Sequence, residues 1–337
     1  MMKERIEWID ILKGIAIILV ILGHMPYSEC NDGIYHAIYS FHMAMFFILA
    51  GFTTSLSQKN KESGYFIRQK FYALCLPYIV WNFLVLPFPS VSECTSGYDI
   101  YERFIICVSG RCNNGGAYWF LLTLFALQCT YLLYAWSEKR IKNAFCRCAV
   151  LGILYMPIIM LHYLYGAGGN GFGLATQAYL FYIPFMVGVC MNKYPAVYRM
   201  MFSKWAFVVW VLLALYVPLL RKDLPNMGHI GRFAAIGITC ILIKLTDNKK
   251  LFTPFLRDKL MLIGRYSLAI YIFHYAFVLK FNDGNTAFIA SGNCLETLCM
   301  YVPIAVIICY LSIGIAKIIE QSEILSFWML GKAKKRK

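Results

Sequence analysis

The sequence predicts an all-α integral membrane protein, a bundle of about ten transmembrane helices with both termini cytoplasmic. Three observations predict it. Hydrophobic residues make up 60% of the 337 residues and charged residues only 15%, whereas soluble domains run at roughly 45–50% and about 25%. Apolar runs of about 20 residues, the length that crosses a bilayer, recur from one end of the chain to the other. The Lys and Arg sit in short segments between those runs. The net charge of +15 therefore reads as a topology signal and not as one basic patch for nucleic acid.

Bounded by Gly, Pro and charge, the runs place helices near 8–27, 34–56, 70–90, 117–136, 144–163, 174–191, 204–220, 229–245, 260–280 and 298–318. The first run follows Lys3 and Arg5 like a signal peptide, but it carries Asp10, Lys13 and His24 and has no small-residue cleavage site. It is expected to stay as the first helix. With the N-terminus inside, 25 of the 32 Lys and Arg fall on the cytoplasmic side. No soluble domain or internal repeat interrupts the pattern, so residues 1–330 form a single polytopic domain and 331–337 a basic tail. In that tail Lys332, Lys334, Lys335, Arg336 and Lys337 suit anionic lipid headgroups.

The 13 cysteines lie mostly within apolar runs, where cysteine behaves as a small hydrophobe. Cys146 and Cys148 are too close and too isolated for a zinc site, and no metal is expected. Cys30, Cys94, Cys112 and Cys294 fall in loops placed outside, where a disulfide stays open. Gly166, Gly168, Gly169, Gly171 and Gly173 make no phosphate loop, since no Lys-Ser/Thr pair follows them.

An ionisable side chain in hydrocarbon costs about 2.5–3.5 kcal/mol on insertion scales, so each one inside a span marks a candidate site. The first helix carries three. Lys13 and His24 are eleven residues apart, close to three full turns, and so share one face about 16 Å apart along the axis. Asp10, three residues before Lys13, is placed to pair with it. Gly14 and Gly23 leave room for another helix or a ligand. Helix geometry puts His24 about 5 Å and His42 roughly 10 Å below the outer surface. In the ninth helix Ser267, Tyr271 and His274 stand at i, i+4 and i+7 and line one face. Three of the six histidines thus converge on the outer half. For each alone, a hydrogen-bonded core residue is the bland reading, and for Lys13 it is snorkelling to the cytoplasmic headgroups.

Arg232, Arg103 and Arg111 suit an anionic or sugar acceptor or are simple loop and interface charges. Asn82, Trp119, Gln128 and Gln177 are polar or amphipathic groups within spans, which helix-to-helix hydrogen bonding or packing explains equally well.

The order of these pieces resembles the membrane acyltransferase family 3, and in particular its fucose 4-O-acetylase-like branch. The pieces are Lys13 to His24 within Asp-Ile-Leu-Lys-Gly, Phe41-His42-Met43 to Gly51-Phe52, Leu76-Pro77-Tyr78 with Trp81, Trp119-Phe120-Leu121, and Gly264 through Ser267, Tyr271 and His274. Ala44 stands where the branch usually has proline and Ala50 where it often has serine. The resemblance implies a multi-pass enzyme of the bacterial inner membrane, an O-acetyltransferase moving an acyl group from acetyl-CoA to a carbohydrate hydroxyl. It implies catalytic roles for His24, His42, His274 and Ser267. Contact with the CoA donor is expected at Lys13, Asp10, Arg68 and Arg265, and with the acceptor at Trp119, Tyr271 and Arg232. The pantetheine arm, roughly 15–20 Å long, matches the rise from Lys13 to His24. Homo-oligomers or glycan-assembly partners stay open. The competing reading is a multi-pass transporter of a small polar or sugar substrate, since intramembrane histidines also mark transport pathways; against it stands the lack of an inverted repeat.

Overall fold

The computed structural model describes residues 6–26, 32–58, 62–85, 101–102, 118–166, 173–219, 229–248, 251–282 and 294–332. Arg103, Arg111, Cys30, Cys94, Cys112 and the tail from Ala333 lie outside them. The elements among the described residues are helices. They are α1 (Glu7–Gly23), α2 (Asp32–Tyr39), α3 (His42–Gln58), α4 (Ser63–Lys70), α5 (Leu76–Val85), α6 (Trp119–Glu138), α7 (Ala144–Leu161) and α8 (Gly173–Lys193). There follow α9 (Pro195–Met201), α10 (Lys204–Leu219), α11 (His229–Asp247), α12 (Pro254–Arg265), α13 (Ser267–Asn282), α14 (Cys294–Ile319) and α15 (Glu323–Leu330).

By length and composition, five stretches of the described residues are able to cross a membrane: Gly33–Gln58, Trp119–Glu138, Ala144–Tyr165, Gly173–Lys193 and Cys294–Ile319. Two bent pairs, α9 with α10 and α12 with α13, raise the number to seven. The sequence expects ten. The difference arises where an expected span is short or charged: α1 has 17 residues and carries Glu7, Asp10 and Lys13, and α11 carries Arg232, Lys244 and Asp247.

Three expected helices are built differently. The run at 34–56 is α2 and α3, parted at Ser40 and Phe41. The run at 70–90 begins earlier, in α4, and reaches α5 through a π-helical turn, Phe71–Cys75. Pro77 has no N–H for the carbonyl four residues back, and the wider turn just before it absorbs that mismatch. The run at 260–280 breaks at Tyr266, where α12 and α13 meet at 82°. The charged Arg257, Asp258, Lys259 and Arg265 make α12 a poor continuation of the apolar α13. Helices α9 and α15 have no counterpart in the sequence reading.

The chain divides into two compact units, Met1–Leu49 with Cys190–Ile318 and Ala50–Val189 with Ile319–Lys337. In the first, α1 is enclosed: Ile11, Leu12, Ala16, Ile17 and Ile21 are wholly buried. Its tightest neighbour is α12. Gly14 lies against the backbone of Leu260, and a Cβ on Gly264 would stand 2.8 Å from the Asp10 carbonyl carbon and 3.0 Å from the Gly14 nitrogen. Only glycines let two backbones cross this closely. Elsewhere in this unit Trp210 of α10 covers Gly237 of α11 and donates its Nε1–H to the Met201 carbonyl at 2.9 Å.

In the second unit, Gly51 of α3 lies on the backbone of Phe185 and Val189 in α8. Gln128 of α6 donates to Thr54 Oγ1 at 3.1 Å and Tyr131 to Gln58 Oε1 at 3.3 Å. Interhelical hydrogen bonding thus accounts for the Gln128 Nε2, while its Oε1 is buried without a hydrogen-bond partner among the described residues. Asn82 instead donates along its own helix, to the Tyr78 carbonyl at 2.8 Å. Helix α7 exposes Ile153, Met156 and Met160, as a lipid-facing helix should. It meets α8 through an aromatic ladder in which Tyr155 stacks on Tyr182 at 4.7 Å and on Tyr179 at 5.8 Å, and His162 stacks on Tyr179 at 4.3 Å. Helix α15 docks on the π-helical turn and α5: Trp81 Nε1 donates to the Met329 carbonyl at 2.8 Å. Gly331, at φ 63°, ends α15 in the left-handed conformation that glycine adopts without strain.

Candidate active site

The first unit holds the residues around which chemistry can be built. Helix α1 presents Lys13 half-buried, and His24 caps it, with its backbone N–H shared between the Val20 and Ile21 carbonyls at 3.2 and 3.1 Å. The His24 imidazole meets that of His274, from α13, with ring centroids 5.3 Å apart and planes tilted by 38°. Tyr275 stands edge-on to His24 at 5.4 Å and Tyr39 edge-on at 6.4 Å. His42, the first residue of α3, stands edge-on to the same Tyr39 at 5.0 Å. The structure therefore brings His24, His42 and His274 into one cluster, with Tyr39 between the first two. Tyr271 is buried 5.8 Å from the His274 ring, and Ser267 opens α13 half-buried.

Two of the three histidines are oriented by backbone carbonyls three or four residues back, His274 within its own helix and His42 from the end of α2. His42 Nδ1 lies 2.7 Å from the Ile38 carbonyl, and His274 Nδ1 lies 2.8 Å from the Tyr271 carbonyl and 3.2 Å from that of Ile270. A carbonyl only accepts, so Nδ1 carries the proton in both rings, and the neutral imidazole then offers Nε2 as a lone pair. His274 Nε2 is buried and has no hydrogen-bond partner among the described residues. A buried acceptor left this way is costly. It is the form in which a ring is ready to take a proton.

At the other end of α1, Asp10 is buried and its carboxylate lies 3.5 Å from Arg265 Nε. The residue before the Tyr266 break is thus a partner of Asp10 in addition to Lys13, the neighbour that helical spacing predicts. Arg257 forms a second ion pair across the same crossing, with Glu7. Segment 254–278 consequently touches α1 twice, by ion pairs and glycines at one end and by His274 at the other. Arg232, three residues into α11, is buried.

Arg68 and Trp119 belong to the second unit. Arg68 is exposed with its guanidinium 5.8 Å from the Tyr65 ring, and Trp119 stacks on Phe181 at 5.6 Å. The sequence reading missed Tyr39 and Tyr275. Their signal was adjacency: Tyr275 follows His274, and Tyr39 precedes His42 by three residues, one helical turn away.

A family model for acyltransferase domains of the acyltransferase 3 type matches residues 6–317. The nodulation protein NolL of Sinorhizobium fredii (strain NBRC 101917 / NGR234) is 28% identical over 164 residues, which cover 45% of this chain and 42% of that protein. The chain thus matches less than half the length of this curated relative. No solved structure matches it.

Proposed function

The chain belongs to the membrane acyltransferase family 3, and on that premise we propose that it transfers an acetyl group from acetyl-CoA to a hydroxyl of a cell-surface or lipid-linked carbohydrate. The observation that carries the reading is the meeting of His24 and His274, ring centroids 5.3 Å apart, with His274 Nε2 buried and without a hydrogen-bond partner among the described residues. His24 takes the proton of the acceptor hydroxyl as that oxygen attacks the thioester carbonyl. The new C–O ester bond forms, the C–S bond breaks, and CoA leaves as its thiol after receiving the proton. His274 and His42, their rings fixed through Nδ1, hold His24 and the acceptor in register, and Ser267 and Tyr271 line the same helix face. Arg232 is the cation for an anionic or sugar acceptor.

The donor is anionic and cytoplasmic. Its phosphates suit Lys13 and Arg265, guanidinium and ammonium groups being the usual phosphate partners. Asp10 holds Arg265 in place. In this reading the bundle has ten spans with both termini in the cytoplasm of a bacterial cell, which the bias of 25 of 32 basic residues to one side supports. No metal takes part.

The test is His24→Ala in the full-length protein, with labelled acetyl-CoA and acetylated glycan as readout. Loss of transfer by about 100-fold or more is expected if His24 is the general base. Normal acetylation at normal expression sinks the assignment.

A further inference from the structure

Helix α2 carries Tyr35 and Tyr39 one turn apart, so both rings occupy one face. Their centroids are 4.2 Å apart with planes tilted by 35°. That face looks at α1. Gly23 is where the Tyr39 ring lies down: a Cβ there would meet Tyr39 Cε2 at 2.9 Å. Interfacial tyrosines of a membrane belt lie at the headgroup level; Tyr39 lies against another helix, and the pair leads to the histidines. The stripe is graded, with His42 buried, Tyr39 half-buried and Tyr35 36% exposed. Tyr275, edge-on to His24 at 5.4 Å, is half-buried beside that ring.

We propose that the Tyr35–Tyr39 stripe of α2 is a binding subsite for a pyranose ring of the acceptor, delivering one of its hydroxyls to His24. This rests on the reading of the chain as a sugar acyltransferase. A pyranose has an apolar C–H face and a polar rim, and a wall of phenol rings leading to imidazole matches both in turn. The donor fits this wall poorly. Its nucleotide is anionic, and α2, Asp-Gly-Ile-Tyr-His-Ala-Ile-Tyr, carries no Lys or Arg; its pantetheine arm has no flat face to stack.

The experiment uses the full-length protein in detergent with acetyl-CoA and two kinds of acceptor, a panel of methyl pyranosides and glycerol, which has hydroxyls but no ring face. Tyr35→Leu is the primary variant because that side chain is the exposed end of the stripe; Tyr39→Leu and Tyr35→Phe accompany it. The ratio of kcat/KM for pyranoside to kcat/KM for glycerol is expected to fall roughly three- to ten-fold in both leucine variants, through KM, and to hold in Tyr35→Phe. An unchanged ratio, including an equal loss on both acceptors, overturns the subsite. Failure of the unmodified protein to acylate any pyranoside overturns it as well. In that case release of CoA thiol from acetyl-CoA tells whether the acyltransferase reading survives without it.

Discussion

Gly264→Ala probes the crossing on which the candidate site depends. The added Cβ would stand 2.8 Å from the Asp10 carbonyl carbon and 3.0 Å from the Gly14 nitrogen, where carbon contacts normally settle near 3.5–4.0 Å, so the two backbones must part by about 1 Å. Both obstacles are backbone atoms in the middle of a buried helix, and neither has a rotamer to give. Overpacking of this kind costs about 1–3 kcal/mol. Displacement of a catalytic constellation by about 1 Å costs about 100-fold in rate. Because segment 254–278 also carries Arg265 and His274, the shift loosens the ion pair to Asp10 and the contact of His274 with His24 together. The assay pairs Gly264→Ala with Gly314→Ala, a glycine with no atom within 4 Å of its would-be Cβ. Apparent melting temperature in detergent and acetyl transfer are measured on both. Gly314→Ala should match the unmodified protein or gain up to about 1 kcal/mol from the better helix former. The expectation for Gly264→Ala is a lower melting temperature and transfer reduced by about two orders of magnitude. Equal stability and equal activity in the two variants would refute the crossing.

Arg265→Ala removes the Asp10 partner from a carboxylate that is 9% exposed while the guanidinium is 44% exposed, and should cost about 1–2 kcal/mol, between the values for exposed and fully buried pairs. The double variant Asp10→Asn with Arg265→Gln should recover part of that in a melting assay, and no recovery would show that the ion pair is not what the single variant removed. Trp81→Phe deletes the hydrogen bond to the Met329 carbonyl and should destabilise the docking of α15 by about 0.5–1.5 kcal/mol, read as faster amide exchange in residues 323–330. Unchanged exchange there would mean the ring packing, and not the Nε1–H, holds the helix.

What the sequence made legible, and what it did not, divides along a physical line. His24, His42 and His274 stood out because an ionisable group inside an apolar run is costly and rare, and counting 1.5 Å per residue was enough to put them at similar depth. Tyr39 and Tyr275 did not stand out because tyrosine is common in this chain, 24 residues, and is at home at every membrane interface. Local spacing offered Lys13 beside Asp10 but could not offer Arg265, because that contact is made by a crossing between residues more than 250 positions apart. The Tyr266 break was hidden as well. No proline stands at 266; the local signal is the charge of α12, up to Arg265, which an apolar reading of 260–280 averages away although the two helices meet at 82°. The pair Gly14 and Gly264 holds α12 against α1 beside the break, and from there α13 carries His274 to the His24 end. Sequence periodicity reports which residues avoid water. It does not report the close crossing at Gly14 and Gly264, from which α13 starts toward the histidines that lie 5.3 Å apart.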